Sequence, residues 1–223
     1  MKNEQILFVS DLHIPFHNMG AVRELFKDIK QNKYSTIVLG GDIIDMISPS
    51  RFEKEPEYEG TLQNDLNVFY LFMKNLRAIF KGKIIYIIGN HETRVDKFLK
   101  RNHELYGLNV LELPHLLKCK EFKMDIGYEY IHKGFLFTHG RYVTKYSAAK
   151  ELDVNNISGI SGHVHRHTVH TKTHRIGSDI WISAPCMQDY KKQTFAPNPN
   201  WQTGWVVLSF NDKGLVDYKV RLI

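Results

Sequence analysis

Short runs of apolar residues recur along the chain, and each one ends at a glycine or a polar residue. Runs of this kind predict buried strands; they lie at 6–10, 37–39, 84–88, 135–137 and 157–161. Between the runs, apolar residues at helical spacing predict amphipathic helices over 19–30, 61–80, 92–101 and 146–152. Because strands and helices alternate, we expect parallel strands joined by crossover helices. The run at 84–88 is apolar on both faces, which predicts an interior strand.

The carboxy-terminal part of the chain has a different pattern, with strand following strand. Antiparallel strands are predicted at 168–176, 179–183, 205–210 and 216–222, with a hairpin turn at 211–214. Two further strands, 128–131 and 134–138, are predicted around a tight turn at His132 and Lys133, whereas 102–127 shows no regular pattern. We expect the strand-rich carboxy-terminal part to form a second sheet packed on the first.

Polar side chains with metal-binding chemistry follow each of the first five apolar runs. They are Asp11 and His13; Asp42 and Asp45; Asn90, His91 and Glu92; His139; and His163 and His165. Open α/β sheets place their ligands at the carboxyl ends of strands, and mixed oxygen and imidazole donors suit divalent cations. Five unrelated helix caps and turns are the alternative, but the repetition favours a site for two metal ions.

A polar stretch at 46–60 contains two prolines and follows directly from the second strand. Loops of this length inside a compact domain are often functional. The loop is expected either to form a wall of a substrate cleft or to be a solvated surface loop. In the first case Arg51 and Lys54 would contact phosphate, and Phe52 or Tyr58 would stack on a base.

Composition limits the class of protein. A length of 223 residues with 43% hydrophobic residues predicts one globular domain over 1–223. The net charge of +6 favours anionic substrates, although no dense basic run predicts a dedicated nucleic-acid surface. We expect no membrane span or leader, and therefore a cytoplasmic protein. Cys119 and Cys186 lack redox or zinc-site spacing and are expected to be buried thiols.

Five blocks occur in order: Asp-x-His, Gly-Asp-x-x-Asp, Gly-Asn-His-Glu, His-Gly and Gly-His-x-His. This series closely resembles the calcineurin-like metallophosphoesterase superfamily and extends from Asp11 to His165. The resemblance implies an α/β fold with two packed mixed β-sheets flanked by helices, a four-layer αββα sandwich.

The resemblance also implies a dinuclear metal centre and the residues that form it. Asp42 would bridge two divalent cations, with manganese expected first and iron, zinc, nickel and magnesium compatible. The first cation would be bound by Asp11, His13 and His165, and the second by Asn90, His139 and His163. If 163–165 is extended, both histidines point to one side and each reaches a different cation; the same geometry is expected for Asp11 and His13.

Other residues near the blocks have expected roles. By resemblance, His91 would donate a proton to the leaving oxygen or stabilise its charge. Glu92 and Asp45 would either orient ligands or serve only as helix caps or exposed surface residues. Four arginines, Arg51, Arg94, Arg141 and Arg166, are candidates for binding substrate phosphate. His167, His170 and His174 either extend the site or lie on the surface.

The blocks narrow the expected reaction to phosphoester hydrolysis by a metal-bridging hydroxide. Asp45-Met46-Ile47 replaces the Asp-Arg-Gly of serine/threonine phosphatases, which weakens a phosphoprotein substrate. DNA-repair exonucleases and small nucleotide phosphodiesterases share Asp-x-His and Gly-His-x-His, but the chain is too short for the capping region of the exonucleases. We therefore expect a phosphodiesterase acting on nucleotides or nucleic-acid ends. The alternatives are a phosphomonoesterase and a catalytically silent binding or scaffold protein.

Overall fold

The computed structural model describes residues 4–51, 60–192 and 199–223. These residues form eleven strands and five α-helices. The strands are β1 (Glu4–Val9), β2 (Thr36–Leu39), β3 (Lys83–Ile87), β4 (Met124–Gly127), β5 (Glu129–His132), β6 (Phe135–Thr138), β7 (Gly159–Ser161), β8 (Thr168–His174), β9 (Gly177–Ser183), β10 (Gly204–Asn211) and β11 (Gly214–Leu222). The helices are α1 (Met19–Gln31), α2 (Leu62–Ile79), α3 (Thr93–Arg101), α4 (Leu113–Leu116) and α5 (Ser147–Asn155).

Two mixed sheets form the centre of the fold. The first sheet has the order β11-β10-β1-β2-β3-β4, and β1 to β4 run parallel. The second has the order β5-β6-β7-β9-β8, in which β6, β7 and β9 run parallel. The predicted α/β sandwich is therefore confirmed, and β3 lies inside its sheet as its apolar sequence indicates.

Alternation along the strands explains the four layers. In β1, Ile6 and Phe8 join the core between the sheets, whereas Leu7 and Val9 face the helices that cover the first sheet. Helices α1, α2 and α3 bury their apolar faces in that outer core. On the far side, α5 packs Ala148 and Leu152 against the second sheet. Burying both faces of each central strand removes apolar surface from water and stabilises the sandwich.

The assignment of the carboxy-terminal strands to the second sheet was only half correct. β8 and β9 join it, but β10 pairs antiparallel with β1 and extends the first sheet. β10 is apolar on both faces, with Val206 between the sheets and Val207 towards the helices, and this fits an interior position.

Local differences from the predicted elements have simple causes. The turn between β5 and β6 consists of Lys133 and Gly134, not His132 and Lys133, because these two residues adopt φ values of 47° and 75°. The stretch 102–127 holds two short 3-10 turns, α4 and the edge strand β4. Both cysteines are buried thiols as expected, and burial raises the pKa of Cys119 to about 11. No helix in the described part of the chain is long and apolar enough to cross a membrane.

Candidate metal centre

The seven predicted metal ligands follow the carboxyl ends of strands from both sheets. Asp11, Asp42 and Asn90 follow β1, β2 and β3 of the first sheet, and His139 and His163 follow β6 and β7 of the second. His165 lies two residues farther on, and His13 lies two residues after Asp11. Because both sheets end at the same edge of the sandwich, residues more than 150 positions apart in sequence, such as Asp11 and His163, are hydrogen-bonded.

The first group of donor atoms consists of Asp11, His13 and His165. All three residues are buried, and one donor atom from each lies within 4.8 Å of the others. His165 Nε2 is 3.3 Å from Asp11 Oδ1 and 3.2 Å from His13 Nε2. The set of one carboxylate and two imidazoles could hold a divalent cation.

The second group consists of Asp42, His139 and His163, again with donor atoms within 4.8 Å of one another. Asn90 adds its Oδ1 atom, 3.0 Å from His139 Nε2. Asp42 and His139 are buried, His163 is half-buried and Asn90 is exposed. The donors therefore line the floor of a cleft that solvent can enter.

Hydrogen bonds behind the two groups fix where the lone pairs point. His13 donates its Nδ1–H to Asp45 Oδ2 at 3.0 Å, which leaves the Nε2 lone pair directed at the first group. His139 donates its Nδ1–H to the Gly40 carbonyl at 3.0 Å, so its Nε2 faces the second group. Such bonds to the far ring nitrogen set the tautomer that a metal ligand needs.

The second group fits a cation because three acceptors converge without a donor. His139 Nε2 faces Asn90 Oδ1 at 3.0 Å and Asp42 Oδ2 at 3.2 Å. Without a bound metal ion, a proton on His139 Nε2 can lie between these three atoms. Burial would lower the pKa of His139, but the charge of Asp42 outweighs it and raises the pKa to about 10. A divalent ion supplies the same positive charge to the same three atoms.

The backbone around the donors is left-handed rather than extended. Five of the seven predicted ligands have positive φ: Asp11, His13, Asp42, His163 and His165, at 48° to 70°. The expectation of an extended segment at 163–165, and likewise at Asp11 and His13, is therefore wrong. His163 and His165 nevertheless lie in different groups, as expected. A left-handed non-glycine residue costs about 1–2 kcal/mol, and such conformations cluster at functional sites.

Glu92 holds the left-handed turn at Asp42 in place. It is fully buried, and its carboxylate accepts hydrogen bonds from the backbone N–H groups of Asp42 and Gly89 at 3.0 and 2.8 Å. Ile43, Ile44 and the Tyr86 hydroxyl donate to the same side chain. Glu92 thus orients ligands through the backbone, one of the two roles expected from sequence.

His91 lines the cleft beside Asp45, and Arg94 is hydrogen-bonded to both of them. His91 Nε2 lies 3.7 Å from Asp42 Oδ2 and receives a hydrogen bond from Arg94 Nη2 at 3.0 Å. Arg94 Nη1 binds Asp45 Oδ1 at 3.0 Å. Asp45 therefore anchors both His13 and Arg94, and Arg94 reaches the site mainly through His91.

Of the remaining residues predicted for the site, some line the cleft and others do not. Arg166 lines the cleft. Arg141 is exposed, pairs with Glu129 at 3.5 Å and is not among the residues that line the cleft. Arg51 is exposed, and the loop residues Phe52, Lys54 and Tyr58 lie outside the described residues. His170 and His174 are exposed, while His167 donates its Nδ1–H to the Ser183 carbonyl at 3.1 Å and lines a neighbouring cavity.

Sequence reasoning missed several residues that line the cleft, among them Gln188, Asn200 and Trp201. They follow β9 in an irregular part of the chain, where neither periodicity nor a motif marks them. Trp201 packs its ring edgewise against His165, with centroids 4.5 Å apart. The aromatic side chain therefore lies directly beside the first donor group.

Comparison with known proteins agrees with the family resemblance of the five sequence blocks. A family model for calcineurin-like phosphoesterases matches residues 5–222. The Gene 54 protein of Mycobacterium phage L5 is 25% identical over 227 residues, covering 93% of this chain and 89% of the phage protein. The structure of a dimetal phosphatase from Danio rerio superposes with a TM-score of 0.52 at 11% identity, covering 97% of this chain and 98% of that one. Vacuolar Protein Sorting 29 from Cryptosporidium parvum gives 0.50 at 10% identity, covering 100% and 99%. The two structural likenesses show the fold alone.

Proposed function

This chain belongs to the calcineurin-like phosphoesterase family, and from that premise we propose that it is a metal-dependent phosphodiesterase acting on nucleotides or nucleic acid. The observation that supports the proposal is that the predicted ligands gather beside one cleft, whose lining includes His13, Asp42, Asn90, His163 and His165. They form two donor groups, each able to hold a cation. Two adjacent cations suit in-line displacement at phosphorus.

The chain's own residues would divide the work between binding and positioning. Asp11, His13 and His165 would hold one ion, and Asn90, His139 and His163 the other. Asp42 would be shared between them, and manganese is our first choice of metal. Bound divalent ions ionise water near neutral pH and neutralise charge on phosphoryl oxygens.

Arg94 and His91 would act on the leaving group of the phosphoester. Arg94 is tied to Asp45 and places its guanidinium beside His91 Nε2. A fixed positive charge next to this nitrogen favours any negative charge that develops on a leaving oxygen nearby. His91 Nε2 accepts from Arg94 in this arrangement, so it would have to take up a proton and leave that bond before it could donate to the leaving oxygen.

The shape of the cleft supports a diester over a monoester. The cavity at the donor groups has a volume of about 340 Å³ and adjoins a second cavity of about 620 Å³. A diester carries a second substituent on phosphorus, which the adjoining cavity would take, whereas a monoester has no such substituent.

The test compares bis-p-nitrophenyl phosphate with p-nitrophenyl phosphate in the presence of manganese and again after chelation. We expect metal-dependent cleavage of the diester. Cleavage of the monoester alone would select a phosphomonoesterase, and cleavage of neither would select a silent binding protein.

Substitution of the shared carboxylate tests the site itself. Asp42→Asn should abolish turnover while unfolding remains cooperative, because the amide keeps the shape but removes the charge that two cations need. Asp125→Asn is the matched control, since Asp125 is an exposed carboxylate on β4. Full activity in Asp42→Asn would overturn the assignment.

A further inference from the structure

The cleft continues beyond the donor groups into the second cavity. The two cavities share Val143, Arg166 and Asn200 as lining residues. The second cavity is the larger, and it has no role in holding metal ions. Its chemistry therefore bears on the part of the substrate that lies beyond the reacting phosphate.

The charge of this extension is opposite to that of the cleft floor. The floor is formed around the buried carboxylates Asp11 and Asp42. Arg166 and Lys145 line the second cavity, and none of the described residues that line it is acidic. Arg166 is held by a hydrogen bond to Thr144 O at 3.0 Å, and its buried Nε has no hydrogen-bond partner among described residues. A second anionic group is the ligand that this wall favours.

The wall between the two regions suits a flat, partly apolar group. Trp201 is half-buried and lines the first cavity, whereas Val143 lines both cavities and is 70% exposed. Gln188 also lines the first cavity; it is only 1% exposed, and its Oε1 atom has no partner within the described ranges. A buried amide oxygen without a donor is costly, and a base or sugar donor would satisfy it.

We infer that this extension binds the nucleotide next to the scissile phosphate of a single-stranded nucleic acid, an inference that rests on the proposed phosphodiesterase function. The neighbouring phosphate would contact Arg166 and Lys145, and the base would pack against Trp201. A positive groove with aromatic side chains is how single strands are bound without sequence preference. A duplex keeps its base faces stacked inside the helix, so it cannot use Trp201 in this way.

Binding is best measured on metal-free protein in the presence of a chelator, so that no hydrolysis occurs. The probe is a fluorescein-labelled oligothymidylate of about ten nucleotides, read by anisotropy. Tryptophan emission gives a second readout, because Trp181 and Trp205 are buried, whereas Trp201 is half-buried and lines the cleft. We expect the unlabelled oligonucleotide to quench this emission.

Variants separate the contributions of charge and stacking. Lys145→Ala should weaken binding several-fold at low salt and reduce the slope of log Kd against log salt by about 0.7, the value for one phosphate contact on a single strand. Trp201→Ala should weaken binding by about 5- to 150-fold, the range for loss of one stacked base, and Trp201→Phe should retain most of the affinity. Lys172→Ala is the matched control, because Lys172 is exposed and pairs with Asp153 on the surface.

The outcomes distinguish this inference from the proposed function. If wild-type protein cleaves bis-p-nitrophenyl phosphate but binds no single strand, the inference is overturned and the proposed function remains. The same holds if Lys145→Ala and Lys172→Ala behave alike, or if duplex binds more tightly than single strand. If no diester is cleaved with any of the candidate metals, the proposed function is overturned, whether or not the protein binds the single strand.

Discussion

Replacing Glu92 by glutamine tests how the metal-binding turn is held. The carboxylate accepts five hydrogen bonds from buried donors. Oε1 receives Ile43 N at 2.9 Å, Ile44 N at 3.2 Å and Tyr86 OH at 2.7 Å; Oε2 receives Asp42 N at 3.0 Å and Gly89 N at 2.8 Å. Glutamine has one oxygen, so one end of the side chain must become a donor.

The cost follows from the number of donors left without an acceptor. In its better orientation, the amide nitrogen replaces Oε2 and leaves Asp42 N and Gly89 N unsatisfied. Each buried unsatisfied donor costs about 1–3 kcal/mol. Burial raises the pKa of Glu92, as does the charge of Asp42, so a neutral side chain recovers part of the loss. We expect Glu92→Gln to lower the free energy of unfolding by about 2–4 kcal/mol.

The assay is urea unfolding of metal-free protein, so that loss of metal binding does not contribute. Glu129→Gln is the control, because Glu129 is an exposed carboxylate with a loose ion pair; its effect should stay within about 0.5 kcal/mol. Tyr86→Phe removes one donor and keeps the carboxylate, so it should cost about 1 kcal/mol. Manganese affinity, measured by calorimetry, should fall about 10- to 100-fold in Glu92→Gln. A stability loss no greater than that of Glu129→Gln would refute the reasoning.

Two further substitutions test close contacts and buried charge. Gly89→Ala should reduce metal-dependent hydrolysis at least about tenfold, because an added Cβ would overlap the Asp42 carboxylate and backbone nitrogen; Gly177→Ala, which meets only an ordinary contact, is the control for activity assays. Asp65 is buried with an unpartnered Oδ2, and burial raises its pKa from 3.8 to about 7. The folded state then holds this proton more tightly than the unfolded state, so stability is lost as pH rises from about 4 to 7. Asp65→Asn should therefore gain about 1–2 kcal/mol at pH 8 and almost nothing at pH 4 relative to Asp125→Asn; an equal gain at both pH values would contradict the buried-charge explanation.

The strand ends were predictable because the motif residues lie next to strong apolar runs. Asp42 follows a run whose sequence leaves little choice but a buried strand, and Gly40 and Gly41 mark its end. The same reasoning located Asn90 after β3 and His139 after β6. Local sequence therefore placed each donor at the end of its strand.

Other features depend on contacts that are distant in sequence. Nothing local distinguishes an extended His163 from a left-handed one; its φ of 70° accompanies a hydrogen bond from its N–H to Asp11 Oδ2 at 3.0 Å, across 152 positions. The placement of β10 beside β1 likewise depends on tertiary pairing. Trp201 and Gln188 line the cleft from irregular backbone, where no periodic pattern exists to be recognised.

The donor groups also join the two sheets at their shared edge. Asp11 and Asp42 come from the first sheet and His139 and His163 from the second, so each group contains residues of both. Burial raises the pKa of Asp11, and the nearby imidazoles outweigh this and lower it to about 2. Electrostatic attraction between carboxylates and imidazoles therefore links the two sheets when no metal ion is bound. Divalent ions would replace the protons on these imidazoles and place a larger positive charge between the same residues. Metal binding and the packing of the two sheets are therefore expected to stabilise each other.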